Sequence, residues 1–212
     1  VQGVDFFIAN SNEVKRRIKK YYNRDSTVIF PAVNTKRFVK DSSKKQIRKG
    51  FVIWGRHVPY KRFDLAVEAC TRLNLPLTVI GTGPETKKLK AMAGPTITFA
   101  GRASDEELER IAHQSEAFLF PGEEDFGISP VEAMAAGLPV IAYKSGGALD
   151  YVIKGKTGVF FEEQTVESLC GALSSFDESD YVQDDLVAIS EKFSIEVFVK
   201  RFLAYFAKIN SR

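Results

Sequence analysis

The strongest constraint on the fold is a regular alternation of short apolar segments with helical patterns that begins after Gly50. Runs of four or five apolar or β-branched residues predict strands, and the amphipathic stretches between them predict helices. The predicted strands cover 51–54, 77–80, 96–100, 117–120, 140–143 and 158–161, and the predicted helices cover 62–73, 85–92, 105–115, 130–137, 148–153 and 166–175. This alternation predicts an α/β fold in which helices cover both faces of a parallel sheet. Ligands of such sheets bind beyond the carboxyl ends of the strands.

The segments outside this alternation are less regular. Predicted strands over 5–9 and 27–30 flank a basic helix over 12–22 that begins at Ser11 or Asn12, and residues 35–49 are polar enough to predict a linker. A final helix over 195–209 places aromatic residues on an amphipathic pattern, which predicts that it docks through one apolar face. Those aromatic residues are Phe198, Phe202, Tyr205 and Phe206.

Length and composition exclude several classes of protein. The 212 residues are 44% hydrophobic, which is enough for a full core, yet no run of 18 apolar residues predicts a transmembrane helix and no signal peptide is evident. Cys70 and Cys170 lie within apolar helical patterns, which favours reduced thiols and a cytoplasmic protein, although a bridge between them stays open. Because the chain begins at Val1 and enters directly on a strand-like segment, we expect it to be part of a longer protein.

The net charge of +3 is unevenly distributed. Residues 1–50 hold 13 Lys/Arg and 4 Asp/Glu, whereas residues 51–212 hold 17 and 23. Five of the basic residues fall on the first predicted helix: Lys15, Arg16, Arg17, Lys19 and Lys20. A solvated helix face explains them, and so does attraction to an anionic lipid surface or a lipid-linked acceptor, which would make the protein peripheral on the inner face of the cytoplasmic membrane. No nucleic-acid motif accompanies the charge, so we expect no nucleic-acid partner.

Two carboxylates lie eight positions apart in residues 120–140, which read F-P-G-E-E-D-F-G-I-S-P-V-E-A-M-A-A-G-L-P-V. Glu124 falls in the loop after a predicted strand, and Glu132 falls in the first turn of a helix. Ser129 suits the N-cap of that helix, Pro130 its first position and Gly137 its end. Gly127 allows backbone amides to approach a ligand, and free amides at a helix start favour an anion. This arrangement suits a polyhydroxylated ligand that carries a phosphate group.

The stretch resembles the E-x7-E signature of retaining family-4 glycosyltransferases, which are two-domain GT-B enzymes that use nucleotide-sugar donors. Glu124 and Glu132 match the two acids of the signature, and the segment 126–130 matches the turn between them. Ser129 and Glu132 also fit an S-x-x-E capping box, which would need no ligand. The full pattern and the matches elsewhere in the chain favour the functional interpretation.

A second match lies in the loop after the first strand of the alternation, which reads G-R-H-V-P-Y-K-R over 55–62. Arg56 and Lys61 match the diphosphate-binding element of the family, and fixed cations there can stabilise a leaving diphosphate. They take the place of a metal, and no Asp-x-Asp pair occurs in the chain, so we expect no metal and no cofactor. Arg62 stands where many members have Gly, which predicts a stiffer or more cationic loop.

Two glycine turns complete the predicted site. The turn after the second strand reads G-T-G-P over 81–84, and Thr86 breaks the G-x-G-x-x-G spacing of a dinucleotide fingerprint, so its glycines are expected to be mainly structural. Gly101 and Arg102 follow the third strand and resemble the turn of the family that lies near the base. Asp150 stands where many members have Glu. The predicted catalytic residues are Glu124, Arg56 and Lys61, and the predicted donor-binding residues are Glu132, Phe126, Gly127, Ile128, Ser129, Gly55, Gly81, Gly101 and Arg102.

The resemblance covers nearly the whole chain and implies a division into parts. Residues 1–34 resemble the end of the acceptor-side domain and the crossover, 35–49 a linker, 50–192 the donor-binding domain with its Rossmann-like sheet, and 193–212 a helix that packs back toward the other domain. Segments 55–69 and 121–143 most resemble bacterial mannosyltransferases of O-antigen and exopolysaccharide assembly. That likeness implies transfer of mannose from GDP-mannose to a saccharide or lipid-linked acceptor, with little activity expected from this chain alone.

Three other functions stay open on the sequence. Close relatives within such families differ in the sugar donor, so a UDP-sugar is an alternative to GDP-mannose. A sugar-nucleotide epimerase or a phosphorylase of the same fold is a second possibility, which the combination of Glu124, Glu132, Arg56 and Lys61 disfavours. An interaction module that has lost its activity is a third, and the same four intact residues argue against it.

Overall fold

The structure is a computed structural model, and it describes residues 3–38 and 48–211. Its main sheet has six strands, all parallel, in the order β5-β4-β3-β6-β7-β8, and a separate two-stranded parallel sheet pairs β1 with β2. The strands are β1 Ile8–Ala9, β2 Thr27–Val28, β3 Phe51–Trp54, β4 Leu77–Ile80, β5 Ile97–Gly101, β6 Ala117–Phe120, β7 Val140–Tyr143 and β8 Gly158–Phe161. The helices are α1 Asn12–Tyr22, α2 Phe63–Arg72, α3 Thr86–Met92, α4 Asp105–Gln114, α5 Ile128–Ala135, α6 Val166–Ser174, α7 Gln183–Ser190 and α8 Ile195–Asn210.

Alternate residues of the central strands enter two different cores, as the period of a strand requires. Val52, Trp54 and Phe118 face one core, whereas Phe51 and Ile53 face the other. The first core is completed by α5 and α7, and the second by α2 and α6. The predicted parallel sheet with helices on both faces is confirmed. Because the strand order reverses between β3 and β6, the chain leaves these two strands toward opposite faces of the sheet, which opens a crevice at their carboxyl ends.

Several predicted boundaries differ from the structure. The strands predicted over 5–9 and 27–30 are only two residues long in the structure. The helix predicted over 148–153 is instead a 3-10 helix at Gly146–Asp150. The helix α7 was missed, because Asp184, Asp185 and the surrounding polar residues mask an apolar face that holds only Leu186 and Ile189. These errors concern short elements, in which packing outweighs local preference.

The predicted linker over 35–49 is attached to the main domain at both of its described ends, and residues 39–47 lie outside the described part. Thr35–Phe38 forms a 3-10 helix, and the Phe38 ring is buried parallel to Trp54 with 6.3 Å between ring centres. At the other end, Arg48 donates to the carbonyl oxygens of Gly137 and Ala136 at 2.6 and 3.1 Å. Thr35 and Arg37 add side-chain bonds to Glu191 and Glu109, so the polar residues of this segment did not indicate a detached linker. The domain boundary itself stays a prediction.

Arg48 satisfies carbonyl groups at the carboxyl end of α5 with a side chain that is only 6% exposed, and Glu178 pairs with it at 3.6 Å. Burial lowers the pKa of its guanidinium, and Glu178 opposes this effect. We expect Arg48→Ala to cost about 2–3 kcal/mol of unfolding free energy, because two carbonyls lose a charged donor and a buried side chain leaves a void. Urea denaturation would measure the loss, and Lys49→Ala, at the exposed neighbouring position, should change stability by less than about 0.5 kcal/mol.

The basic helix α1 lies against the crevice edge of the main domain. Ser11 accepts from the Val14 amide and so is the N-cap, and Asp150 accepts from the Asn12 amide and side chain at 2.9 and 2.6 Å. Arg17 turns inward and donates to Asp125 at 2.6 Å. The five cations of this helix therefore fall into two groups: Arg17 bonds an acid of the crevice, and the other four are exposed to solvent.

The last helix, α8, has no buried residue. Leu203 is 60% exposed and Phe206 51%, whereas Ser194 caps the helix by accepting from the Val197 amide. Docking of this helix onto another domain therefore stays a prediction. Among the described residues, no helix combines the length and the apolar character needed to cross a bilayer. Cys70 and Cys170 are both free thiols, the first buried and the second half-buried, and burial raises the pKa of Cys70 to about 12.

Candidate functional site

The candidate site is a cleft at the carboxyl ends of β3 and β6, where the strand order reverses. Its volume is about 540 Å³, and it lies between the loop that follows β6, the loop that follows β3 and the crossover segment near α1. Its lining residues are Asn10, Pro31, Tyr60, Lys61, Glu123, Glu124, Asp125, Phe126, Gly127, Ile128 and Ser129. Six of the predicted site residues, among them Lys61 and Glu124, thus line one cavity.

The centre of the cleft is an ion pair between two residues that are 63 positions apart. Lys61 Nζ lies 2.6 Å from Glu124 Oε1, and the two side chains are 16% and 17% exposed. A Cβ added at Gly55 would lie 3.7 Å from the Lys61 side chain, which is an ordinary contact, so Lys61 folds back over the start of its own loop. Partial burial strengthens the pair relative to a solvent-exposed one. An anion that entered the cleft would therefore meet a cation already held in place.

The turn before α5 supplies backbone amides to the same cleft. Gly127 occupies the N-cap with φ 84°, and α5 begins at Ile128. The prediction that Ser129 caps the helix and that Pro130 is its first residue is wrong, because the helix begins two residues earlier and no side chain caps it. The amides of Ile128 and Ser129 are left without a helical acceptor in this first turn and suit an anion.

Tyr151 holds this turn in place from below. It is 1% exposed, and its hydroxyl donates to the Phe126 carbonyl at 2.7 Å. A Cβ on Gly127 would lie 2.8 Å from the Tyr151 hydroxyl and 2.7 Å from the Phe120 ring. Phe126 itself is 3% exposed and packs in the core, so the structure gives it the role of an anchor for the turn.

Glu132 does not form the capping box with Ser129 that was the alternative to a role in ligand binding. Its Oε2 instead accepts a hydrogen bond of 3.1 Å from Trp54 Nε1, at the end of β3. Burial raises the pKa of Glu132, and the Trp54 bond and the charge of Arg37 oppose that rise. Sequence reasoning missed Trp54, although a tryptophan directly before the G-R pair is the only tryptophan in the chain and is a signal that could have been used.

Because burial raises the pKa of Glu132, the ionised carboxylate destabilises the folded state at neutral pH. Because the folded-state pKa lies above the unfolded one, the protein gains stability as pH falls through that folded-state pKa. We expect Glu132→Gln to raise the melting temperature at pH 7 by about 2–4 °C, and the gain over wild type to shrink as the pH is lowered toward 4. Melting curves across this range would measure it. Glu163→Gln, at an exposed position, should show neither effect.

The two arginines of the loop after β3 differ in their surroundings. Arg56 is exposed at the mouth of the loop, and it does not line the 540 Å³ cleft. Arg62 has a left-handed backbone, with φ 52°, and its side chain bonds Asp64 and Gln164. The left-handed backbone explains why glycine suits this position in the resembling family. Because Asp64 neutralises it, Arg62 does not make the loop more cationic.

The glycine turns predicted near the site pack backbone against backbone. A Cβ on Gly81 would lie 1.9 Å from the Gly55 carbonyl oxygen, and one on Gly83 would lie 2.4 Å from that of His57. His57 is fully buried, its Nδ1 lies 2.9 Å from the Thr86 hydroxyl, and burial lowers its pKa. The turn after β4 therefore supports the loop after β3 from the side. This agrees with a mainly structural role for these glycines.

The turn after β5 lies beside the same edge. The Gly101 carbonyl accepts from the Gly81 amide at 2.6 Å, and Gly101 has φ 69° in open space. Arg102 is exposed, and it does not line the cleft around Lys61. Arg37, which follows the crossover, bonds Asp105 at 2.9 Å and Glu109 at 3.2 Å close to this turn. The two predicted residues therefore lie at the far end of the site, away from the Lys61–Glu124 pair.

The three consecutive acids of the cleft are each matched by a cation. Lys61 pairs with Glu124, whereas Arg17 contacts Glu123 at 3.4 Å and Asp125 at 2.6 Å. Within residues 3–38 and 48–211, no group of three or more His, Cys, Asp or Glu side chains is arranged to hold a metal ion. The expected independence from metals stays a prediction.

Comparison with solved structures defines the class of fold. The chain aligns with sucrose-phosphate synthase from Thermosynechococcus elongatus at a TM-score of 0.85 and 20% identity, covering 99% of this chain and 59% of that one. It aligns with HepE from Anabaena, in complex with UDP and glucose, at a TM-score of 0.81 and 18% identity, covering 96% and 63%. The architecture is therefore that of one half of a GT-B glycosyltransferase.

Sequence comparison then gives the family. The family model described as glycosyl transferases group 1 matches residues 32–193, so this chain belongs to that family. A GDP-mannose-dependent alpha-(1-6)-phosphatidylinositol monomannoside mannosyltransferase of Mycobacterium tuberculosis is 30% identical over 171 residues, covering 68% of this chain and 44% of that protein. The human alpha-1,3/1,6-mannosyltransferase ALG2 is 27% identical over 231 positions, covering 92% and 55%. The chain thus spans about half the length of these relatives.

Proposed function

We propose that this chain is the donor-binding half of a retaining glycosyltransferase that moves mannose from GDP-mannose to a saccharide or lipid-linked saccharide. The observation that carries the proposal is the Lys61–Glu124 pair beside the amides that begin α5. A cation and free amides suit a diphosphate, and a carboxylate suits the hydroxyls of a sugar. Support for mannose comes from relatives whose names specify GDP-mannose.

Each residue has a part in this proposal. Lys61 holds the diphosphate from within the cleft, and Arg56 closes over it from the exposed mouth of the loop. Glu124 and the amides of Ile128 and Ser129 bind the sugar. Glu132 binds the ribose hydroxyls, as the second acid does in the resembling family. A phosphate that binds Lys61 must compete with Glu124, and the carboxylate that is released is then available to the sugar.

The proposed reaction proceeds by attack on the same face from which the leaving group departs. The acceptor hydroxyl oxygen forms a bond to the anomeric carbon, while the bond from that carbon to the diphosphate oxygen breaks. The leaving diphosphate accepts the hydroxyl proton, so no protein nucleophile is consumed. Lys61 and Arg56 stabilise the negative charge that grows on the diphosphate, which lowers the barrier.

For the nucleotide of the donor, UDP is a second candidate beside GDP. HepE was solved with UDP-glucose, and it shares this fold at a TM-score of 0.82 in that complex. Ligand-observed NMR with GDP, UDP and ADP, repeated on Arg56→Ala, separates the candidates. Selective binding of GDP that Arg56→Ala weakens would support the proposal. A preference for UDP would make a UDP-sugar the donor. If the full-length protein bound neither GDP nor UDP, both candidate donors would be refuted.

The reaction class has its own test in the mass of the product. A transferase adds a hexose to an acceptor, an epimerase leaves the mass of the sugar nucleotide unchanged, and a phosphorylase needs inorganic phosphate. Because the chain spans about half the length of its relatives, we propose that it needs the remaining half to turn over. Efficient transfer by the 212 residues alone would contradict that requirement.

We also propose that the exposed cations of α1 bring the protein to an anionic lipid surface. Lys15, Arg16, Lys19 and Lys20 are exposed, and Tyr21 and Tyr22 beside them are 68% and 51% exposed. Each cation near such a surface contributes about 1 kcal/mol. Lys15→Glu with Lys20→Glu should lower sedimentation with phosphatidylserine vesicles by more than about tenfold, with no effect on neutral vesicles. Equal sedimentation with both vesicle types would contradict this proposal.

A further inference from the structure

A buried hydrogen bond connects the end of β3 with α5. Trp54 Nε1 donates to Glu132 Oε2 at 3.1 Å, and Trp54 is only 6% exposed. An indole has one proton to donate and no acceptor, so it can engage only one of the two carboxylate oxygens. The bond therefore engages Oε2 and leaves Oε1 without a hydrogen bond from the indole.

The indole ring is itself held on two sides. The Phe118 ring lies 4.3 Å from it between ring centres, and the Phe38 ring lies parallel at 6.3 Å with an angle of 10° between the planes. Both phenylalanines are buried in the same core. Because the ring cannot turn without displacing these neighbours, the direction of its N–H bond is set before any ligand arrives.

The charged groups near Glu132 do not replace this bond. Arg37 and Asp105 act on the Glu132 carboxylate through space, but Arg37 bonds Asp105 at 2.9 Å and Glu109 at 3.2 Å. Trp54 is the hydrogen-bond donor recorded for Glu132 within the described part of the chain. The orientation of the carboxylate thus depends on the indole.

We infer that Trp54 is a positioning residue, whose indole N–H orients Glu132 so that Oε1 receives a ribose hydroxyl of the bound nucleotide. This inference rests on the proposed function, in which Glu132 binds the ribose. A carboxylate that is oriented in advance loses less rotational freedom when the ligand binds. Removal of the N–H alone should therefore weaken the contact to the ribose and leave contacts to the diphosphate unchanged.

The test compares GDP with 2′-deoxy-GDP, and UDP with 2′-deoxy-UDP in parallel, by calorimetry on the full-length protein. A hydrogen bond to a charged group gives wild type about a tenfold preference for the ribonucleotide. Trp54→Phe keeps an aromatic ring and removes the N–H, and we expect the preference to fall to about threefold or less, with affinity for the deoxynucleotide nearly unchanged. A purely structural role would weaken both nucleotides together.

Two control variants make the result specific. Phe38→Leu loosens the packing of the indole without removing its N–H, so it should destabilise the fold and keep most of the ribose preference. Glu132→Ala should abolish the preference. If Trp54→Phe retained the full preference while Glu132→Ala lost it, the inference would be overturned and the proposed ribose contact would stand. If Glu132→Ala retained it as well, or if neither diphosphate bound, the proposed function would fail together with the inference.

A second measurement does not depend on the folding of a variant. Trp54 is the only tryptophan of the 212 residues, so the chain gives one indole N–H cross-peak in an ¹⁵N NMR spectrum. We expect GDP to shift this resonance further than 2′-deoxy-GDP does, because the deoxynucleotide offers one hydroxyl fewer to the carboxylate that the indole holds. Equal shifts with both nucleotides would contradict the inference.

Discussion

Replacement of Lys61 by alanine is expected to lower the rate of sugar transfer by about 100- to 1,000-fold in the full-length protein, because one fixed charge opposite a developing negative charge has an effect of this size. The side chain is 16% exposed and lies 2.6 Å from Glu124, so the cation is already held in place in the cleft proposed to take the diphosphate. The substitution also leaves the Glu124 carboxylate without its partner, and repulsion between that carboxylate and the diphosphate adds to the loss. Steady-state kinetics with the nucleotide-sugar would measure it.

The matched control is the neighbouring cation. Arg62 bonds Asp64 and Gln164 instead of the cleft, and its left-handed backbone favours glycine. Arg62→Gly therefore removes one positive charge at no cost to the backbone, and transfer should stay within about threefold of wild type, because the charge of Arg62 is already paired with Asp64. A rate for Lys61→Ala above one third of wild type would refute the role assigned to Lys61. Equal losses in the two variants would show that only the total charge of the loop matters.

The largest expected effect on stability comes from Gly81→Ala. An added Cβ would lie 1.9 Å from the Gly55 carbonyl oxygen, a distance that requires one of two backbone segments to move, and φ is 114°. We expect a loss of about 3–5 kcal/mol of unfolding free energy, which is the sum of backbone strain and overpacking. For a chain of this size such a loss lowers the melting temperature by roughly 10 °C. Because Gly55 adjoins Arg56, nucleotide binding should weaken as well.

Substitutions at two other glycines distinguish backbone strain from overpacking as the cause of this loss of stability. Gly101 also has a positive φ, at 69°, but a Cβ there would meet open space, so Gly101→Ala should cost only about 1 kcal/mol of backbone strain. Gly171 lies inside α6 with open space and no positive φ, so Gly171→Ala should stabilise the helix by up to about 1 kcal/mol. A Gly81→Ala variant as stable as Gly101→Ala would show that the two turns can separate without cost.

The sequence predicted most of the regular structure of the main domain because each prediction depended on neighbours along the chain. The bounds predicted for the four-residue strands β3, β4, β6, β7 and β8 are those observed in the structure, since a buried parallel strand is a continuous apolar run. The N-cap of α4 is equally local, since the Ser104 hydroxyl accepts from the amide of Glu107, three residues away. The Ser129 cap failed because Gly127, with φ 84°, let the helix begin earlier.

The site was predicted in part. The sequence supplied Lys61, Glu124 and the turn that begins at Gly127, each through its place after a strand or before a helix. It did not reveal that Lys61 and Glu124 contact each other at 2.6 Å, since 63 residues separate them. It placed Glu132 in the donor site, with a local capping box as the alternative, and it did not reveal that this carboxylate bonds Trp54, 78 positions away.

The sequence by itself determined the class of fold, the order of the strands and of most helices along the chain, and the side chains available at the strand ends. These follow from periodicity and turn chemistry, which act over a few residues. The tertiary structure decided which of those side chains meet. The order of the strands in the sheet brings β3 beside β6, and the packing of Phe38 and Arg48 secures segments that looked like a linker. Contacts of this kind depend on how distant faces fit together, which no local pattern encodes.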